Sequence, residues 1–255
     1  MSSRRDKPGF SLIELLIVVS IIALLASILV PSLGAAGAIA RSAKCLSNLN
    51  ALGRAMGGYH AENNESFWPC TLLGHPQPGA NTYFWGTNTD PVDPRPAAFL
   101  AYCDYNLAYL WCPSQPWGTY VPQGGVSEPT TNFGYNAWCL DPPAWGRREN
   151  GKPLPTKRSI QLPNPSQLFV FADSGMYWAP AGVPIFQNST HLEPLTGPWA
   201  CQPTTHFRHR GSTNALCADG HAASFGLEGA AMHNPDHNLG FVGTSNVPHY
   251  DLQDY

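Results

Sequence analysis

Gly9-Phe10-Ser11-Leu12-Ile13-Glu14-Leu15-Leu16 is the stretch on which the reading of this chain turns. Ahead of it stands a polar leader, Met1-Ser2-Ser3-Arg4-Arg5-Asp6-Lys7-Pro8, with three basic residues against one acid. Behind it, residues 15–33 carry no charge. As a helix, such a run is long enough to cross the hydrocarbon core of a bilayer, which takes about 20 residues. The basic leader predicts a cytoplasmic N-terminus and an exported remainder. An ordinary secretory signal ends in a small-residue cleavage site, whereas this run flows into a further helix without a clear A-x-A site. Glu14 is the second departure, since a carboxylate inside a membrane segment is costly and marks function by default.

These residues resemble the type III signal of type IV prepilins and type II secretion pseudopilins. The resemblance implies that a prepilin peptidase cuts between Gly9 and Phe10, removing residues 1–9, and that Phe10 is then N-methylated. Glu14 would become the fifth residue of the mature chain. In a water-free filament core its carboxylate can pair with the free amino terminus of a neighbouring subunit. Such a buried pair sets register more than it adds net stability. Processing is thus assigned to Gly9 and Phe10, and assembly to Phe10 and Glu14. The expected partners are the prepilin peptidase, the inner membrane, copies of the chain itself and other pilin-like subunits.

Residues 10–33 form the membrane-spanning and filament-core half of the predicted helix. Pro31 removes a backbone hydrogen bond and predicts a kink there, with Gly34 and Gly37 close behind. Residues 34–62 form the second half. Cys45, Leu49, Leu52, Met56 and Tyr59 recur at helical spacing, while Ser47, Asn48, Asn50 and Arg54 occupy other faces. This half is amphipathic and needs a partner to cover its stripe.

From residue 63 to 255 helical periodicity gives way to short apolar runs between Pro, Gly and Asn clusters, the pattern of strands joined by loops. Candidate strands are residues 168–173, 214–218 and 221–225. Asp219-Gly220 between the last two is a hairpin turn signal. The fold class is therefore α+β: a long N-terminal helix, kinked near Pro31, packed on an antiparallel sheet with long Pro/Gly-rich loops. With the leader, this is a type IV pilin-like architecture.

Composition narrows the function. Charged residues are 12% of the 255 and the formal net charge is −3, so no nucleic-acid partner is indicated. No Walker-type phosphate loop and no G-x-S-x-G elbow is present, and an enzyme is not expected. The cysteines are odd in number, seven. Bridges Cys103–Cys112 and Cys201–Cys217 would staple loops after export; buried free thiols are the alternative. Trp68, Trp85, Trp111, Trp117, Trp138, Trp145, Trp178 and Trp199 either pack the loops or line a carbohydrate groove.

A second resemblance covers the globular half. His209-Arg210-Gly211 and Ala218-Asp219-Gly220-His221, with nine residues between His209 and Asp219, resemble the H-x9-DG segment (residues 209–220) of a prepilin-type family common in planctomycetes. Cys45-Leu46-Ser47-Asn48-Leu49, Trp111-Cys112-Pro113-Ser114, Phe133-Gly134-Tyr135-Asn136 and Phe171-Ala172-Asp173-Ser174 are similar to further pieces of it, in order. The histidines and acids here make a candidate metal site: His209, Asp219 and His221, with His206 close by and Asp173 as a further candidate member. Imidazole and carboxylate suit zinc or a similar ion. Calcium wants more oxygen ligands, although related pseudopilins hold it near their C-terminus. Equally, His209 and Asp219 can simply hydrogen-bond to fasten the hairpin. No other cofactor is expected.

The reading is a structural pilin or pseudopilin-like subunit, single-pass in the inner membrane with a periplasmic globular domain. Once processed, it would enter a filament in the periplasm or on the cell surface. The rival is a membrane-anchored exported binding module, for carbohydrate or metal, that does not polymerise.

Overall fold

The computed structural model describes residues 11–72, 81–115, 130–141, 148–149, 152–153, 155–178, 182–195, 202–227 and 232–252. The chain divides into two compact units, Met1–Ala40 and Arg41–Tyr255. Gly9 and Phe10 lie outside the described residues.

Helix α1 (Leu12–Glu62) begins in the first unit. Ser11 and Glu14 start it as a capping box: the Ser11 N–H donates to Glu14 Oε2 at 2.9 Å, and the Glu14 N–H donates to Ser11 Oγ at 3.3 Å. Every Leu, Ile and Val in residues 12–33 is exposed, from 44% at Val18 to 88% at Leu12. The serines on this stretch satisfy their hydroxyls within the helix: Ser20 on the Leu16 carbonyl, Ser27 on Leu24 and Ser32 on Leu29, at 2.7–2.8 Å. Apolar flanks and internally satisfied polar groups are what a hydrocarbon medium demands, and the helix is long and apolar enough to cross a membrane. Pro31 lies inside it without interrupting the helical backbone.

In the second unit the predicted stripe is buried: Cys45, Leu49, Leu52, Met56 and Tyr59 face the core. They meet a four-stranded antiparallel sheet made of β1 (Phe133–Tyr135), β2 (Phe169–Asp173), β3 (Ser212–Cys217) and β4 (Ala222–Gly226). The strands lie in the order β4-β3-β2-β1, so each pairs with its neighbour in sequence. The strands expected from sequence are all found, shifted by one or two residues at their ends. The sheet has apolar clusters on both faces. One holds the α1 stripe with Phe171 and Leu216; the other holds Phe169, Ala172, Ala215, Cys217, Phe241 and Tyr250.

A register shift at Leu216/Cys217, which pair with Phe171 and Phe169, leaves Val170 as an extra residue on β2. Val170 and Phe171 therefore both join the helix-side cluster. Strand alternation from Phe171 then turns Asp173 toward α1 as well, and from Leu216 it does the same for Asn214.

Trp68 anchors the helix-side core. It stacks on Phe99, Tyr135 and Phe171, with ring centroids 4.2–5.7 Å apart, and meets Tyr59 edge-on at 5.9 Å. Trp68, Trp85 and Trp138 are buried, which takes these three out of a carbohydrate groove. Trp117, Trp145 and Trp199 lie outside the described residues.

Candidate functional site

Glu14 lies in the first turn of α1. Its side chain closes the first turn of α1 through Ser11. The carboxylate thus faces the N-terminal end of the helix. Among residues 12–33 it carries the sole charge.

The second site is buried in the Arg41–Tyr255 unit. Cys45 of α1, Cys112, Asp173 at the end of β2 and His209 converge there, with their ligand atoms all within 4.8 Å of one another and all four side chains buried. Cys45 Sγ lies 3.7 and 3.9 Å from the two Asp173 oxygens. His209 Nε2 lies 3.1 Å from Asp173 Oδ2 and 3.3 Å from Cys112 Sγ. Ser114 Oγ is 3.4 Å from the other ring nitrogen, Nδ1.

Local structure explains each position. Cys45 is the first buried residue of the helical stripe. Asp173 shares the helix-side phase of β2 with Phe171. Cys112 follows a short 3-10 helix (Leu107–Leu110), and its N–H is held by Asn132 Oδ1 at 3.2 Å. His209 opens a tight turn in which His209 and Ser212 exchange both backbone hydrogen bonds, at 3.0 and 3.1 Å. Arg210 and Gly211 between them have φ of 57° and 83°, the left-handed pair of a type I′ turn. Around the cluster, the Asn214 N–H donates to Asp173 Oδ2 at 2.9 Å. Arg208 places Nε 3.6 Å from Asp173 Oδ1 and also donates to the Ser174 carbonyl.

These contacts set the protonation of the cluster. Burial opposes ionisation of the Cys112 thiol, but the hydrogen bonds with Cys45 and His209 prevail and bring it down to about 6. Burial likewise opposes the His209 cation, and hydrogen bonds to Asp173 and Cys112 overcome it, raising it to about 9. Cys45 is pushed far up by burial, by its hydrogen bond with Cys112 and by the charge of Asp173. The geometry is not that of a nucleophilic triad. There the imidazole offers one nitrogen to the nucleophile and the other to the acid. Here Nε2 faces both Cys112 and Asp173, and the Cys112 side chain is buried.

The cluster expected from sequence is only partly assembled. His209 and Asp173 come together, but Asp219 and His221 do not join them. Asp219 and His221 occupy the β3–β4 turn and pair with each other, Oδ1 to Nδ1, at 2.6 Å with both partly exposed. The reason is the strand between them: β3 carries the chain about 20 Å from the His209 turn to the Asp219 turn at 3.3 Å per residue. His206 is buried and contacts Arg208 at 3.2 Å. Cys45 and Cys112 were not assigned to a site from sequence. The available signal was that four of the quoted pieces each supply one member: Cys45-Leu46, Trp111-Cys112, Ala172-Asp173 and His209-Arg210.

The expected Cys103–Cys112 bridge is not formed. Cys103 Sγ donates to the Leu100 carbonyl at 3.4 Å while Cys112 Sγ faces His209. None of the six described cysteines forms a disulfide, and all are buried; Cys201 lies outside the described residues. Burial raises the Cys70 and Cys217 thiols to about 12 and Cys103 to about 11.

Comparison with curated proteins and with solved structures returns no match. Residues 4–30 match a known family description, the Prokaryotic N-terminal methylation motif. The match takes in the basic leader, Gly9-Phe10, Glu14 and the exposed apolar part of α1, and it supports a type IV pilin-like, membrane-anchored subunit.

Proposed function

We propose that this chain is a structural, non-enzymatic subunit of a type IV pilus-like or type II secretion filament, in the manner of the planctomycete H-x9-DG prepilins. Prepilin peptidase releases residues 1–9 at the inner membrane, Phe10 is methylated, and residues 12–33 leave the bilayer to pack against the same segment of neighbouring subunits. The globular unit is then exported, in the periplasm or at the cell surface. The observation that carries this reading is Glu14: one carboxylate at the first turn of a helix whose flanks are otherwise apolar and exposed, within the matched motif. Lipid alone gives no use for that charge, whereas a neighbour's N-terminal ammonium does. Head-to-tail contacts of this kind repeat into an open helix.

The test is expression of the full chain with its prepilin peptidase, comparing wild type, Glu14→Gln and Glu14→Ala. Glutamine keeps a capping side chain and removes only the charge. The expected result is a mature chain starting at methylated Phe10 by mass spectrometry, and filaments in sheared material that disappear in both variants. An uncut wild-type chain without filaments overturns the proposal in favour of a tethered binding module, and filaments unchanged in Glu14→Gln overturn the role given to the Glu14 charge.

A further inference from the structure

The geometry points to a structural zinc site formed by Cys45, Cys112, Asp173 and His209, tying α1, the loop before β1, the end of β2 and the turn before β3 to one ion. Metal–sulfur bonds of about 2.3 Å and metal–nitrogen or –oxygen bonds of about 2.0–2.2 Å put the corners of a tetrahedron about 3.3–3.8 Å apart. Three of the six separations are 3.7 Å for Cys45 to Asp173, 3.3 Å for Cys112 to His209 and 3.1 Å for His209 to Asp173, within about 0.2 Å of that span, and all six are within 4.8 Å. His209 aims one nitrogen, Nε2, at a point shared with both Cys112 and Asp173. That direction serves a common ion better than two separate hydrogen bonds.

The donor set selects the metal. Two thiolates and one imidazole are a soft to borderline set that suits zinc, whereas calcium takes six to eight oxygens. Four protein ligands, all buried, leave no open coordination position, the arrangement of a structural site. Charge also closes. Two thiolates and a carboxylate around a divalent ion leave one negative charge, and the buried Arg208 beside Asp173 offsets it. The ligands are oriented from behind as metal ligands commonly are: Ser114 lies against His209 Nδ1, and the Asn214 N–H donates to Asp173.

The test uses the full chain in detergent, purified under reducing conditions with a tag that binds no metal, equilibrated with zinc and freed of excess. Elemental analysis should find about one zinc per chain. Cys112→Ser and His209→Ala should lose it at least tenfold, while the double variant Asp219→Asn/His221→Ala keeps it. Should the ligand variants fail to fold, cobalt substitution of the wild type gives a second readout. Thiolate-to-cobalt charge-transfer absorption and the intense d–d bands of a tetrahedral ion are then expected. Three results each overturn the inference: a folded wild type that retains no zinc, zinc kept in full by folded Cys112→Ser and His209→Ala, or zinc lost from the Asp219/His221 variant.

Discussion

Gly53 and Gly57 stand one turn apart on α1, and the structure predicts opposite effects for the same substitution. A Cβ on Gly53 would lie 2.6 Å from the Gly220 carbonyl oxygen and 3.0 Å from Leu216 Cδ1, whereas a Cβ on Gly57 meets nothing within 4 Å. The Gly220 carbonyl belongs to a turn that cannot easily retreat. The Gly220 N–H bonds to the Cys217 carbonyl at 2.9 Å, and the N–H groups of Ala218 and Asp219 bond to the carbonyls of Leu168 and Pro165 at 2.9 and 3.1 Å. Gly57→Ala should therefore show the ordinary helical gain of about 0.5–1 kcal/mol. Gly53→Ala receives the same gain but adds overpacking of about 1–3 kcal/mol, for a net loss of about 1–2 kcal/mol. At about 2–4 °C per kcal/mol for a unit of this size, Gly53→Ala should melt roughly 2–8 °C below wild type and Gly57→Ala slightly above it. The assay is thermal unfolding of the full chain in detergent, followed by near-ultraviolet circular dichroism of the Trp68 stack. Equal stability of the two variants, or a Gly53→Ala chain more stable than wild type, refutes the claim that α1 sits on the β3–β4 turn through Gly53.

Two further outcomes follow from the interior. Burial raises the Glu193 carboxyl to about 7 from an ordinary 4.5, against a smaller opposing contribution from Trp138. The folded state thus holds that proton more tightly than the unfolded one. Its stabilisation is complete below pH 4.5 and is lost as pH rises through 7, by at most about 3 kcal/mol. Urea unfolding at pH 5 and pH 8 should show this fall in wild type and a smaller one in Glu193→Gln; identical slopes in both contradict it. Asn136 donates from Nδ2 to the carbonyls of Phe169 and Tyr250 at 2.9 and 3.1 Å, fully buried. Asn136→Ala should cost about 2 kcal/mol by leaving both acceptors unpaired, read as a lower urea midpoint with an unchanged slope. No shift in the midpoint would exclude that role.

Local chemistry by itself determined the leader, the apolar run, the placement of Glu14, the buried face of α1 and the Asp219-Gly220 hairpin. Each of these is written in residues a few positions apart: charge against apolar run, a stripe at helical spacing, a turn pair between two strands. The Cys45, Cys112, Asp173 and His209 cluster is different. Its members meet across 128 residues from Cys45 to Asp173 and 97 from Cys112 to His209. Nearness in sequence misled for His209 and Asp219, because the strand that separates them is extended and sends its two ends apart. Asp173 faces Cys45 only because Val170 is an extra residue on β2 and because α1 lies on that face of the sheet. Strand register and helix packing are set by the summed burial of both faces, a property of the assembled core that no short stretch of the chain contains.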